Sequence, residues 1–321
     1  MNEQVELLTK KITEAKIEIS KIIIGQERAI ELCLMAIFAG QHVLLEGVPG
    51  LAKTLLVKTL AHTLGCDFGR IQFSPDLMPS DITGTNIYNL KLNEFKLLKG
   101  PIFKTFILAD EINRAPAKTQ SALLQAMQEK EVTIDNETLT LDQNFTVFAT
   151  QNPIEFEGTY PLPEAQKDRF MMKVYLDYPE LDEELIFAKK VLTGENPEDT
   201  LKKNIVNSVL HAEDLHNFRE GLLNISMNDE LIKYAVDIVR ATRSNDSILV
   251  GAGPRATQSL IYGSRIQALF NERDFVIPDD IQEMVLSVLS HRIIIRPEYE
   301  MEGVTSKDAL DQVIKMVSVP K

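Results

Sequence analysis

The sequence predicts an α/β fold: a parallel sheet covered by helices, followed by a smaller all-helical domain. Three observations lead there. In the first half, short apolar runs alternate with helical ones. A glycine-bearing loop joins the first such run to a helix. Beyond Pro179 the strand-like patterning gives way to helical spacing. The 321 residues, 44% hydrophobic and 25% charged, suffice for a sizeable core and two domains, drawn at 1–179 and 180–321.

The chain opens on an amphipathic helix. Val5, Leu8, Ile12, Ala15 and Ile19 recur at helical spacing among Glu3, Glu6, Lys10 and Lys11, a pattern unlike a signal peptide. Ile24-Gly25-Gln26 reads as a helix-start turn, and residues 42–46 as a short buried strand. The strand runs into Gly47-Val48-Pro49-Gly50-Leu51-Ala52-Lys53-Thr54, behind which Leu55, Leu56, Leu60 and Leu64 fall at helical spacing. A strand, loop and helix in this order present unpaired N–H groups and the positive end of a helix dipole to an anion. Lys53 is placed to reach the β- and γ-phosphates of a nucleoside triphosphate, and the Thr54 hydroxyl to sit on Mg2+. Ala52 stands where the pattern G-x-x-x-x-G-K-[S/T] has its last glycine, an exchange that is tolerable if the residue has helical angles.

Further strands are expected at 71–73, 106–110, 145–150 and 172–177. The third of the five ends in Asp110 and Glu111, two carboxylates at the C-terminal tip of a buried strand, where open α/β sheets bind ligands. Asp110 is assigned to Mg2+ through water, and Glu111 to orienting or deprotonating an attacking water. Asn152 follows the strand at 145–150, which Pro153 stops; its amide is able to bond both the γ-phosphate and that water.

Two pieces interrupt this half. Residues 81–100 read as a β-hairpin or a surface loop, while 131–141, with Val132, Ile134, Leu139 and Leu141 alternating around Asp135-Asn136, make a better hairpin. Helices are expected at 181–192, 228–242, 255–270, 279–289 and 307–317. Pro197-Glu198-Asp199, Asn228-Asp229-Glu230 and Pro278-Asp279-Asp280 serve as start signals.

Composition excludes several classes. A net charge of −13 argues against a protein that binds chiefly by neutralising a phosphate backbone, so no direct nucleic-acid contact is expected. Five scattered histidines, with no H-E-x-x-H, no Cys/His cluster and no G-x-S-x-G, leave zinc and serine hydrolases unsupported. A guanine-reading Asn-Lys-x-Asp is missing, and Asp81-Ile82-Thr83-Gly84 is too loose a pattern to replace it. Charged residues such as Glu46 and Asp110 interrupt the apolar stretches, so no membrane span is expected. Cys33 and Cys66 form no disulfide framework, which points to a reducing, cytoplasmic location.

Five segments taken in order resemble the MoxR-type AAA+ ATPases over nearly the whole chain. They are Gly47 to Thr54, Asp110-Glu111-Ile112-Asn113-Arg114-Ala115, Asn152, the run from Leu162 to Phe170, and Gly253-Pro254-Arg255. The resemblance implies a P-loop αβα nucleotide-binding domain with a helical lid, ATP and Mg2+ as cofactors, and hydrolysis to ADP and phosphate. It implies that Ile24, Gly25 and Gln26 lie against adenine and that Gly47, Val48, Pro49, Gly50, Leu51, Ala52, Lys53, Thr54 and Leu55 hold the phosphates. Asn152 matches sensor 1, Arg169 the arginine finger toward the neighbouring subunit's ATP, and Arg255 sensor 2; Arg114 competes with Arg169 for the trans-acting role. Residues 81–100 fall where a helix-2 insert is expected and 131–141 where a hairpin precedes sensor 1. The resemblance further implies a ring, expected to be a hexamer, that remodels or matures a client in a chaperone-like way, with proteins carrying von Willebrand factor A domains as associated partners. A motor on nucleic-acid-associated complexes, or an ATP-regulated adaptor with little hydrolysis, shares the same residues.

Overall fold

Strand residues in the first half alternate between two cores, and this alternation builds the sheet. A computed structural model describes residues 3–152, 160–194, 201 and 206–320. Its strands are β1 (Val43–Glu46), β2 (Phe68–Gln72), β3 (Gly84–Asn89), β4 (Glu94–Lys99), β5 (Phe106–Asp110), β6 (Glu131–Ile134), β7 (Glu137–Thr140), β8 (Thr146–Gln151) and β9 (Met172–Tyr175). On one face Val43, Leu45, Phe106, Leu108, Phe148 and Val174 pack with the helices Glu27–Phe38 and Lys53–Thr63. On the other, Leu44, Ile107, Ala109, Val147 and Ala149 pack with the helix Ala117–Glu129. Each fully buried Leu, Ile or Phe contributes roughly 1.5–3 kcal/mol.

The main sheet has the order β2-β5-β8-β1-β9, and every neighbouring pair is parallel. Because β5, β8 and β1 are adjacent, the segments leaving their C-terminal ends arrive at one edge: Glu111, Asn152 and the loop beginning at Gly47. Such an edge is where parallel sheets bind ligands.

Strand β2 extends further upstream than the expected 71–73. Its register runs from Phe68↔Phe106 to Gln72↔Asp110, so backbone pairing to β5 recruits Phe68, Gly69 and Arg70, which carry no apolar run. Both interrupting pieces are hairpins, β3–β4 and β6–β7. The turn of the second places Asp135 at φ +53, and Asn86 of the first donates to the Asp135 carboxylate at 2.7 Å, tying the two together. On the first hairpin Leu90, Phe95 and Leu98 are exposed.

The second half contains the helices Leu181–Leu192, Ala212–Leu222, Asp229–Ala241, Pro254–Phe270, Pro278–Leu289 and Ser306–Met316. Asn228 starts one of them as its sequence signals, its side chain accepting from the Leu231 N–H at 2.8 Å. A short antiparallel ladder, Ile248–Val250 against Ile294–Ile295, adds to these helices. The start signal at Pro197-Glu198-Asp199 lies outside the described residues. The larger core runs on into this half, and the N-terminal helix Glu3–Ser20 joins it: Lys11 pairs with Asp214 at 2.8 Å.

Candidate active site

The loop after β1 needs glycine for two reasons, close approach at one position and a left-handed backbone at another. A Cβ on Gly47 would lie 2.8 Å from the Leu176 carbonyl oxygen, and Gly50 has φ +90. Ala52 departs from expectation: its angles, φ 54 and ψ 26, are left-handed, and it ends the loop as the cap of the helix Lys53–Thr63. An alanine held there costs about 1 kcal/mol, because Cβ crowds the following carbonyl. Strain of this kind gathers where surrounding structure fixes a backbone for function. The Lys53 ammonium is turned onto the Gly47 carbonyl oxygen. Burial pushes the Lys53 ammonium below its ordinary pKa, while Asp110, Glu111 and Glu46 pull against that shift.

The two carboxylates at the end of β5 are held from several sides. Asp110 Oδ1 accepts from the Thr150 hydroxyl at 2.7 Å, and Oδ2 accepts from Arg70 through Nη2 at 2.7 Å and Nε at 3.2 Å. Glu111 is also left-handed, at φ 55, and its N–H donates to the same Thr150 hydroxyl at 2.8 Å. The Glu111 carboxylate accepts from Gln72 Nε2 at 2.8 Å and from Arg114 Nη1 at 3.1 Å. Arg114, the competing candidate for a trans-acting role, therefore contacts Glu111 within its own chain.

These groups surround one open cavity of about 610 Å³. Pro49 to Leu55 form one wall, Asp110, Glu111 and Asn152 another, and Arg70 and Phe187 complete it. The donor set fits a magnesium-bearing triphosphate: a hydroxyl, a carboxylate and an amide face backbone N–H groups, and Mg2+ takes few protein ligands when phosphates supply the rest. Among the described residues no three His, Cys, Asp or Glu side chains gather into a protein-only metal cage.

Ile24-Gly25-Gln26 lies to one side and does not line this cavity. Gly25, at φ +72, abuts the Glu183 carboxylate, and the Gln26 amide donates to the Asp177 carbonyl at 2.7 Å. Asp177 borders a smaller cleft against Gly47 and Leu51.

Arg169 and Arg255 are not among the residues that line the loop cavity of their own chain. Both line a separate cleft of about 230 Å³ together with Lys130 and Arg292. Burial and the neighbouring Arg255 push the Arg169 guanidinium below its ordinary pKa. Arg292, unremarked in the sequence, is the fastener here. It is buried, bonds Asp168 Oδ1 at 2.8 Å, and donates to the carbonyls of Phe170 and Met171 at 2.7 and 3.0 Å. It also donates to Ser259 Oγ at 3.2 Å, so the segment carrying Arg169 is fixed to the helix carrying Arg255.

Sequence reasoning missed Arg70, Thr150, Phe187 and Arg292. A signal existed for the first: Arg70 and Gln72 flank Ile71 at spacing two, which places both polar side chains on one strand face.

Comparison with known proteins gives a consistent picture. Residues 42–172 match the family described as ATPase family associated with various cellular activities (AAA), and residues 240–313 match the AAA lid domain. The chain is 41% identical over 319 residues to Chaperone MoxR1 of Mycobacterium tuberculosis, covering 97% of this chain and 82% of that one. It is 44% identical over 302 residues to the uncharacterised protein YeaC of Bacillus subtilis, covering 94% and 92%. A crystal structure of a candidate ATPase from Cytophaga hutchinsonii superposes with a TM-score of 0.91 at 44% identity, covering 99% of this chain and 98% of that one.

Proposed function

Since the chain belongs to the MoxR-type AAA+ ATPases, we propose that it hydrolyses ATP with Mg2+ in a ring of identical subunits and uses the resulting motion to remodel a client protein. One observation carries this reading. The loop, Asp110, Glu111 and Asn152 meet in one cavity, whereas Arg169 and Arg255 meet in another. Each chain thus offers two complementary half-sites, and a head-to-tail neighbour joins them.

In the joined site the Gly47–Thr54 backbone N–H groups cradle the phosphates, and Lys53 leaves the Gly47 carbonyl for the β- and γ-phosphate oxygens. Thr54 and Asp110 would hold Mg2+, which would supply charge neutralisation for the phosphates. Glu111 takes a proton from the attacking water as its oxygen bonds to Pγ and the bond from Pγ to the bridging oxygen of ADP breaks. Asn152 holds that water against the γ-phosphate, and the neighbour's Arg169 and Arg255 neutralise the charge developing on the transferred group. The exposed apolar hairpin β3–β4, tied to β6–β7, supports a protein client over a nucleic acid, as does the chain's acidity. No helix among the described residues is long and apolar enough to cross a membrane, and the cytoplasm is the compartment proposed.

Glu111→Gln tests this. The variant should bind a fluorescent ATP analogue as wild type does, yet hydrolyse ATP about 10²–10⁴-fold more slowly. Unchanged turnover sinks the role of Glu111, and a wild type with no turnover above buffer favours a binding adaptor instead.

A further inference from the structure

Both oxygens of Asp110 are already engaged, and Oδ2 is taken up by a guanidinium. Its Oδ1 accepts from Thr150, and its Oδ2 accepts two N–H groups of Arg70, at 2.7 and 3.2 Å. Asp110 is also the carboxylate placed to receive the water shell of Mg2+, across the same cavity as Thr54. Those waters need carboxylate lone pairs, and a dication beside a guanidinium on one oxygen is repelled by it.

A structural brace is the plain alternative for Arg70. Two observations weigh against it. Strands β2 and β5 are already paired by backbone from Phe68↔Phe106 to Gln72↔Asp110, so they need no side-chain clamp. Moreover the Arg70 side chain is 47% exposed and lines the cavity, whereas the Asp110 side chain is 16% exposed. Arg70 has open space to swing into; Asp110 does not.

Resting on the nucleotide-site reading above, we infer that Arg70 competes with Mg2+ for Asp110 and keeps the metal seat closed until metal and nucleotide arrive together. Glu111 already pairs with Arg114 at 3.1 Å and Glu46 with Lys173 at 2.8 Å, so the charge of the Arg70 guanidinium falls on Asp110. Arrival of a metal–phosphate complex displaces it, because a dication with its phosphate ligands satisfies Asp110 more fully than one ion pair that is open to solvent on one side.

The experiment titrates Mg2+ against a fixed concentration of a fluorescent ADP analogue, which is not hydrolysed, in wild type, Arg70→Ala, Arg70→Gln and Arg70→Lys. The Mg2+ midpoint for binding should fall about two- to fivefold in the alanine and glutamine variants, in line with the loss of a partly exposed ion pair. Lysine, a single point charge without the two-pronged geometry, should lie between. A parallel titration with Mn2+ alone, followed by water-proton relaxation without nucleotide, should show the same ranking. Circular dichroism checks that each variant is folded. Midpoints that are unchanged or raised in both neutral variants overturn the inference, and so does a wild type whose nucleotide affinity ignores Mg2+. A wild type that binds no nucleotide at all sinks the underlying reading instead, and the Mn2+ titration then decides the role of Arg70 alone.

Discussion

The Thr150 hydroxyl donates to Asp110 at 2.7 Å while accepting the Glu111 N–H at 2.8 Å, so one side chain fixes the Asp110 carboxylate and the Glu111 backbone together. Thr150 is buried and touches no ligand position; it is a positioning residue. Thr150→Val keeps the shape and removes the hydroxyl. It should leave the Glu111 N–H unpaired, cost about 1–3 kcal/mol of stability by urea unfolding, and slow hydrolysis on the order of 10²-fold through misplacement. Thr150→Ser should restore most of the rate, whereas a serine variant as slow as valine counts against the hydroxyl.

Ala52 holds left-handed angles that glycine adopts freely. Ala52→Gly should therefore stabilise the folded chain by about 0.5–1 kcal/mol, despite the added freedom of the unfolded chain. Chemical denaturation reads this directly, and a loss of stability would show that the loop draws its conformation from elsewhere.

Arg169 and Arg255 share a cleft away from their own loop, so both are predicted to act on a neighbour's nucleotide. Arg169→Ala should lower turnover by about 10³-fold or more. Mixing it with inactive Glu111→Gln subunits should bring part of the activity back, and the same should hold for Arg255→Ala. Rescue of neither variant at any mixing ratio argues against trans action.

His42 gives a pH signature. Val147 N–H donates to its Nδ1 at 3.0 Å, so Nε2–H donates to the Met127 carbonyl at 3.1 Å, and the ring is neutral on both counts. Burial pushes its pKa down to about 4 from 6.5. The unfolded state then binds the extra proton between those values, so stability is full above pH 6.5 and falls as pH drops toward 4. The loss reaches about 3 kcal/mol by pH 4. His42→Gln should flatten the unfolding free energy over that window relative to wild type; parallel curves would remove His42 from the account.

What could be read from the sequence was local. Gly47 to Thr54 carries its meaning in eight consecutive residues, and Asp110 and Glu111 announce themselves as acids ending a run of apolar strand residues. Arg70 and Thr150 each meet Asp110 from 40 positions away, and Arg292 meets Asp168 from 124. Nothing in a single sequence pairs residues at those distances; the parallel strand order does it for Arg70 and Thr150, and packing of the helical half against the sheet domain does it for Arg292. The backbone sign at Ala52 was hidden for another reason, since alanine seldom adopts left-handed angles and its local preference points the other way. The reach of β2 was hidden because hydrogen bonding to β5, not side-chain pattern, sets it.

Arg292 fastens the carbonyls of Phe170 and Met171 to helices that come much later in the chain. During synthesis the phosphate loop, Asp110 and Asn152 are all made long before it. The segment carrying Arg169 therefore gains this fastening only once a residue 122 positions beyond Phe170 has been made.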